Sequence, residues 1–509
     1  MSTRIGKIEE RLHAIAPERL AGMRRGIEKE SLRTAADGAL AMTPHPAALG
    51  SALTHPNITT DFCEAQLELV TGTHDSVEGC LEELRQIHQF AYRAIGEERL
   101  WVGSMPCGLP TDENIPIARY GSSNAGRAKS VYRMGLGYRY GRRMQTISGI
   151  HYNWSMPGLS SPDYFDLIRN FRRASPLLLF LFGASPAVCA SFVAGRSHGL
   201  RPVKGNTLGL PCATSLRMGR LGYQSDAQAS LAVSYNNLES YAASLEDALT
   251  RPFAGYERIG IRNPGGEYNQ LSTSLLQIEN EFYGTIRPKR VIGPCERPLH
   301  ALRERGVEYV EVRCMDLDPF VAIGIAEPTA RFLDMFLLHC LCSESPPDTP
   351  QEIAAIARNQ QAVSERGREP GMTLEQGGRA RVLTEWAEEL LSEMAPIAAA
   401  VDAQRGGTQY AAALRAARAD LLDPRALPSA RALGAMERDF DGSYVRFIAA
   451  RSERARQELL GLPWTGEQAS RFARLSEVSL AEQDRIEESD RIDFEQYRQQ
   501  LVSAQRLRP

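Results

Sequence analysis

Two short segments in which charged residues alternate with apolar ones constrain this chain most. Glu28-Lys29-Glu30 lies in RRGIEKESLRT, and Tyr309-Val310-Glu311-Val312-Arg313-Cys314 lies in VEYVEVRCMD. In a β-strand, residues two apart share a face. Glu28 and Glu30 therefore point one way, and so do Tyr309, Glu311 and Arg313. Val310, Val312 and Cys314 form the opposite face, which suits a core. A strand of this kind can wall a charged pocket. A solvated edge strand has the same pattern, so neither segment decides alone.

Two further segments carry similar chemistry. TTDFCEAQLELVTG holds Asp61, Glu64 and Glu68, with Leu67 and Leu69 on the expected core side. MQTISGIHYNWSMP reads as one long strand, with Gln145, Ile147, Gly149, His151 and Asn153 on one face. If these strands are neighbours, Glu28, Glu30, Asp61, Glu68, His151 and Glu311 converge. So many carboxylates repel each other unless a cation sits among them. An oxygen-rich set with one imidazole suits Mg²⁺ or Mn²⁺ better than a structural zinc. The chain has no H-E-x-x-H and no C-x-x-C.

These residues belong to a longer resemblance. RGIEKESLR (25–33), LGSALTHPNITTDFCEAQLE (49–68), GRAKSVYRMGLGYRYG (126–141), MQTISGIHYN (144–153), FGASPAVCASF (182–192), ATSLRMGRLGY (213–223), LQIENEFYGTIRPKR (276–290) and GVEYVEVRCMDLDPF (306–320) closely resemble the proteobacterial glutamate–cysteine ligases. The C-terminal third matches more loosely, chiefly at GREPGMTL (367–374). The resemblance implies an α+β, glutamine-synthetase-like fold: a curved antiparallel β-sheet funnel surrounded by helices. It implies ATP-dependent ligation of the L-glutamate γ-carboxylate to the amine of L-cysteine through a γ-glutamyl phosphate.

Roles carry over by position. Glu28, Glu30, Asp61, Glu68, His151 and Glu311 match metal ligands, with Mg²⁺ (or Mn²⁺) as cofactor and ATP as cosubstrate. For His151 taken alone, a structural histidine is the simpler reading. Arg217 and Arg313 match catalytic positions that hold a carboxylate or the transferring phosphoryl group, for which a guanidinium is suited. Gln145, Ile147 and Asn153 match substrate-proximal positions. Phe62, Tyr132, Leu136, Tyr223 and Tyr283 match the cysteine pocket, though each aromatic taken singly reads as core. Arg287, Lys289, Arg366 and Arg368 are expected nucleotide contacts. There is no G-x-x-x-x-G-K-[ST] loop, and a phosphate held through metal ions needs none.

A net charge of −3 and short basic runs give no footprint for nucleic acid, so the expected partners are glutamate, cysteine and ATP. A monomer is favoured. The nine cysteines are odd in number and irregularly spaced, and read as reduced, mostly buried thiols of a cytoplasmic protein. MSTRIGKIEERLHAI is an amphipathic helix and not a signal peptide. Residues 174–195, broken by Pro176, Gly183 and Pro186, read as a buried helix–turn–helix and not a membrane span.

The organisation expected is a catalytic sheet-and-helix region, 1–335, and a helical region, 336–509, packed on it as one continuous unit. Helices are expected at Ser76–Ile95, Pro162–Leu181, Asp226–Leu249 and from Ala330. Beyond the Pro-rich break at 343–352, further helices are expected around 352–366, 380–401, 408–422, 429–460 and 465–506. The charged run RIEESDRIDFEQYRQQL reads as a solvated helix.

Overall fold

A computed structural model describes residues 2–222, 227, 231–293 and 296–509. Its strands are β1 (Arg24–Thr34), β2 (Ile58–Thr60), β3 (Gln66–Val70), β4 (Arg99–Leu100), β5 (Ile150–Ser155), β6 (Ala187–Cys189), β7 (Arg201–Lys204), β8 (Thr207–Gly209), β9 (Ile286–Lys289), β10 (Tyr309–Met315), β11 (Thr373–Gln376) and β12 (Arg379–Val382). The main sheet runs β2-β3-β1-β5-β10-β9, with β4 paired to the end of β1. Every pairing in it is antiparallel.

The period of two decides what each face holds. Ile27, Leu67, Leu69, Tyr152, Trp154, Val310 and Val312 point outward beneath helices, none more than 1% exposed. Burying each side chain of this size contributes roughly 1.5–3 kcal/mol. The register then stacks the polar residues on the inner face. Glu30 lies opposite Glu68, Glu28 opposite His151, Asn153 opposite Glu311, and Glu311 opposite Arg287.

The principal helices before the Pro-rich break are α1 (Ser2–His13), α2 (Val77–Ala94), α3 (Asn124–Tyr140), α4 (Ser161–Ala174), α5 (Pro176–Phe182), α6 (Leu238–Thr250), α7 (Pro298–Arg305) and α8 (Glu327–Cys342). Those after it are α9 (Pro350–Arg366), α10 (Leu383–Glu393), α11 (Ala395–Arg405), α12 (Gln409–Leu422), α13 (Pro428–Phe440), α14 (Tyr444–Gly461), α15 (Gly466–Ser489) and α16 (Phe494–Val502). α2 packs on β1 and β3, and α8 packs between α4 and α12. No described helix is long and apolar enough to cross a membrane.

One buried polar network pins the outer helices to the sheet. Asp334 of α8 faces Arg25 of β1 at 3.1 Å, and both side chains are fully buried. The Tyr152 hydroxyl donates to Asp334 Oδ1 at 2.8 Å and the Tyr410 hydroxyl to Oδ2 at 2.9 Å.

The structure corrects several expectations. The long strand over 144–157 is strand only at Ile150–Ser155, preceded by a 3-10 turn at Met144–Thr146. The run Pro162–Leu181 breaks at Ser175, where Pro176 starts a new helix. Its continuation is strand β6 and a short turn of helix, not a second long helix. α6 begins at Leu238, capped by Asn237, after a non-helical stretch at 231–237; Asp226 lies outside the described residues. The expected 380–401 helix is the end of a hairpin followed by α10 and α11. The expected 429–460 helix divides where Asp441 adopts φ 52°, a left-handed stop favoured by Asp and Asn among non-glycine residues. The 465–506 run ends at Ser489 and restarts as α16, whose Phe494 and Arg498 are buried, so it is not a solvated helix.

The cysteines need a correction too. Cys107 and Cys189 form a disulfide, with Cα atoms 5.3 Å apart, inside the range such bonds require. Cys63, Cys80, Cys212, Cys314, Cys340 and Cys342 are free thiols, all buried except Cys212. Cys295 lies outside the described residues. A separation of 82 residues, bridged only by tertiary packing, leaves no local signal for the pair.

Candidate active site

The inner face of the sheet opens into a cavity of about 490 Å³. Glu28, Glu30, Asp61, Glu68, His151 and Glu311 all line it. They come from β1, the β2–β3 turn, β3, β5 and β10, so the six are far apart in sequence and together in space. His151 stands between two groups. Its Nδ1 is 3.0 Å from Glu28 Oε2, and its Nε2 is 3.9 Å from Glu30 Oε1. Glu28, His151 and Glu311 present ligand atoms within 4.8 Å of one another, and so do Glu30, Glu68 and His151.

The electrostatics follow from enclosure. Burial, reinforced by the negative charge of Asp61, raises the Glu30 carboxyl to about 8. Burial, with Glu28 and Asp61 nearby, pushes Glu68 well above the ordinary carboxylate range. Burial acts on Glu311 in the same sense, but Lys289 and then Arg313 outweigh it and hold the group well below that range. Their contacts are short: Lys289 Nζ to Glu311 Oε1 is 3.2 Å and Arg313 Nη1 to Glu311 Oε2 is 2.9 Å. Burial also opposes ionisation of Glu28, but the hydrogen bond with His151 keeps its pKa low. Asn153 Nδ2 donates to Glu28 Oε1 at 2.9 Å, and the Gly149 N–H donates to Glu30 Oε2 at 2.7 Å. Burial, then Arg313, lowers His151, which favours the neutral imidazole that ligates metals.

Oxygen-rich triads of this kind fit a hard divalent cation. The unfavourable ionisation of Glu30 and Glu68 supports the same conclusion, because a cation supplies the missing charge.

The other expected residues divide. Phe62, Tyr132, Leu136, Gln145 and Tyr283 line the cavity, and so do Arg287, Lys289 and Arg313. Gln145 Nε2 donates to the Tyr283 hydroxyl at 2.9 Å. Arg217 is not among the lining residues; it is buried on the Gly149 side of the inner face, where its Nη2 donates to the Arg313 carbonyl at 2.9 Å. Gly149 makes room for it, because a Cβ there would lie 2.0 Å from Arg217 Nη2. Ile147 is fully buried and offers its carbonyl to Gln66. Arg366 pairs with Glu369 at the surface, and Arg368 donates to the carbonyls of Pro211 and Ala213; neither lines the cavity. Tyr223 lies outside the described residues. Glu64 faces away, accepting from the backbone N–H groups of His45 and Arg119.

Sequence reasoning found only part of one wall, naming Tyr132 and Leu136 but not their neighbours on the same helix. Ala125, Ala128, Lys129, Tyr132, Arg133 and Leu136 all line the cavity from α3. Their helical spacing was a usable signal. Tyr497 and Leu501 of α16 also line it, and nothing in their charged context marks them. A separate cavity of about 620 Å³, between α1, α9 and α10, shares none of these residues. Glu344, Glu352, Glu375 and Glu393 line it, but among the described residues they form no triad at ligand distance like those of the funnel.

An open antiparallel funnel with acids, one imidazole and cationic groups inside defines a carboxylate–amine ligase of the glutamine-synthetase-like class. The chain belongs to the glutamate–cysteine ligase family: residues 11–363 match the profile of that family. It is 46% identical to a glutamate–cysteine ligase of Alcanivorax borkumensis, over 96% of this chain and 98% of that one. It is 48% identical to one from Pseudomonas paraeruginosa, over 93% and 92% of the two chains. The crystal structure of glutamate–cysteine ligase from Francisella tularensis in complex with AMP superimposes with a TM-score of 0.90 at 36% identity. That match covers 94% of this chain and 97% of the other. A bifunctional glutathione synthetase from Pasteurella multocida shares the fold, with a TM-score of 0.72 at 24% identity, over 92% of this chain and 57% of that one.

Proposed function

We propose that the funnel residues divide the work of ATP-dependent γ-glutamylcysteine formation, the first step of glutathione synthesis. The observation that carries this reading is the meeting of the carboxylate–imidazole cluster, Arg313 and the aromatic wall in one cavity. A carboxylate is a poor electrophile and must be activated. A γ-carboxylate oxygen of glutamate attacks the γ-phosphorus of ATP, the bond to ADP breaks, and an acyl phosphate forms. The cysteine amine then attacks the acyl carbon, phosphate leaves, and the amine loses a proton.

Charge on the phosphoryl oxygens is the main obstacle, so cationic groups dominate. Arg313 and Lys289, now paired with Glu311, are placed to meet that charge. Arg217 holds the Arg313 carbonyl. Glu28, Glu30, Asp61, Glu68, His151 and Glu311 would hold Mg²⁺, or Mn²⁺ in its place. Bound there, the ion supplies neutralisation of the triphosphate. Gln145 and Asn153 face the glutamate, and Phe62, Tyr132, Leu136 and Tyr283 receive the acceptor side chain. Arg287 is the second expected nucleotide contact that lines the cavity. The same reading makes the protein a cytoplasmic monomer. Residues 1–335 and 336–509 form one structural unit in this reading, since buried α8 crosses the junction.

The acceptor provides the direct test. Phe62, Tyr132 and Leu136 offer mostly apolar surface, which suits a thiol acting as a small hydrophobe. A serine hydroxyl left unsatisfied there costs about 1–3 kcal/mol, or roughly 5- to 150-fold. The expected order of kcat/KM is cysteine, then 2-aminobutyrate, then serine, with ADP and phosphate released. Serine matching 2-aminobutyrate would mean that the pocket lining is misassigned. Release of AMP and pyrophosphate would exclude the acyl-phosphate route.

The carboxyl groups also set a pH dependence. A cation binds the ionised carboxylates, so protons on Glu30 (about 8) and Glu68 compete with it. Mn²⁺ affinity should fall roughly tenfold or more from pH 8.5 to 6.5. The stability sign is consistent. With the folded Glu30 carboxyl raised from 4.5 to about 8, the metal-free protein loses stability as pH rises through that window. The rise in melting temperature on adding Mn²⁺ should therefore grow with pH. A shift independent of pH would remove Glu30 from the ligand set.

A further inference from the structure

We infer that Glu281 is a positioning residue for the acceptor, holding Tyr132 and Tyr283 from behind the cavity wall. The inference rests on the pocket assignment above. Glu281 does not line the cavity and is fully buried. Its Oε1 accepts from Arg139 Nη1 at 2.8 Å and from the Tyr140 hydroxyl at 2.7 Å. Its Oε2 accepts from the Gln277 backbone N–H at 2.7 Å. Three donors converge on one carboxylate, an arrangement an amide cannot match because its NH₂ would face another donor.

Each donor leads to the pocket. Arg139 and Tyr140 end α3, the helix that carries Tyr132 and Leu136. The Tyr140 ring packs edge-on against Tyr283, with centroids 5.8 Å apart. Tyr283 follows Glu281 by two residues, so the carboxylate anchors its backbone as well. Gln277 Nε2 donates to the Tyr132 carbonyl at 3.2 Å, while its Oε1 accepts from Leu271 N at 2.9 Å. Gly135 fits this side chain closely, since a Cβ there would come within 2.3 Å of Gln277 Oε1. The α3 wall and the Tyr283 segment thus share one charged anchor. The carboxylate cluster on the sheet does not depend on it.

That separation makes the test specific. Glu281→Gln should raise KM for cysteine about tenfold, the effect of losing one charge-assisted hydrogen bond. KM for ATP should stay within about twofold, because Arg287, Lys289 and Arg313 sit on the sheet, and KM for glutamate should rise less than that for cysteine, since it feels Tyr283 only through Gln145. Tyr140→Phe, which removes a single hydroxyl and keeps the ring, should shift KM for cysteine in the same direction by less. It also reads the network if Glu281→Gln folds poorly. Phe62→Ala is the control for the pocket itself. A raised cysteine KM in Phe62→Ala, with both network variants at wild-type values, overturns the role of Glu281. A uniform rise in all three KM values would make Glu281 merely structural, and would overturn it too. An unchanged cysteine KM in Phe62→Ala would show the pocket to be misplaced, and this inference would fall with it.

Discussion

Glu30→Gln and Glu311→Gln should each lower turnover by about 10²- to 10³-fold while leaving a folded protein. Each change is nearly isosteric and removes one anionic ligand from a triad whose atoms lie within 4.8 Å. Glu311→Gln also releases Lys289 and Arg313 from their ion pairs, so the two cations lose the anchor that aims them. Glu30→Gln removes a carboxylate that burial already disfavours in ionised form, so stability should hold or rise slightly while metal affinity falls. Turnover at saturating Mg²⁺, with circular dichroism as the folding control, decides the point. Near-normal turnover in either variant would break the clustered-ligand reading. Removing Mg²⁺ should abolish activity, whereas a zinc-selective chelator should leave it intact.

The second large effect is on stability. Asp334→Leu should destabilise the protein by about 3–5 kcal/mol, because Arg25 then stays charged and buried without its partner. The hydroxyls of Tyr152 and Tyr410 lose their acceptor as well. The double variant Arg25→Met with Asp334→Leu should recover much of the loss, since apolar replacement of a buried ion pair is often neutral. Urea unfolding of the three proteins reads this directly. A single variant within about 0.5 kcal/mol of wild type would show that the network does not pin α8 and α12 to the sheet.

The sequence showed part of this and hid the rest, for physical reasons. The inward set at Tyr309, Glu311 and Arg313 was legible because a strand's period of two sorts side chains without knowledge of neighbours. The same logic assigned Glu28 and Glu30 to one face. The pairing of Glu30 with Glu68, or of Glu28 with His151, was not legible, since register depends on which strands meet. Roles for single residues came from resemblance to a family, and resemblance does not give the contacts that hold each side chain. Arg217 is held against Gly149 and the Arg313 carbonyl, a contact that only the folded arrangement of the strands reveals. Helix ends failed where a backbone turn intervened, as at Asp441. The wall from α16 failed because a charged run looks the same whether its apolar side meets solvent or a cavity.

The sheet order carries a consequence for how this enzyme comes into being. Strands adjacent in space pair residue 28 with 151 and residue 153 with 311, so each contact closes a loop of more than a hundred residues. Closing loops of that length before any contact rewards it slows folding. Glu28, Glu30, Asp61 and Glu68 lie on or between the mutually paired strands β1, β2 and β3, but His151 and Glu311 join them only through the two long loops. The site should emerge in a single late step, and an interrupted or clipped molecule should be inactive rather than partly active.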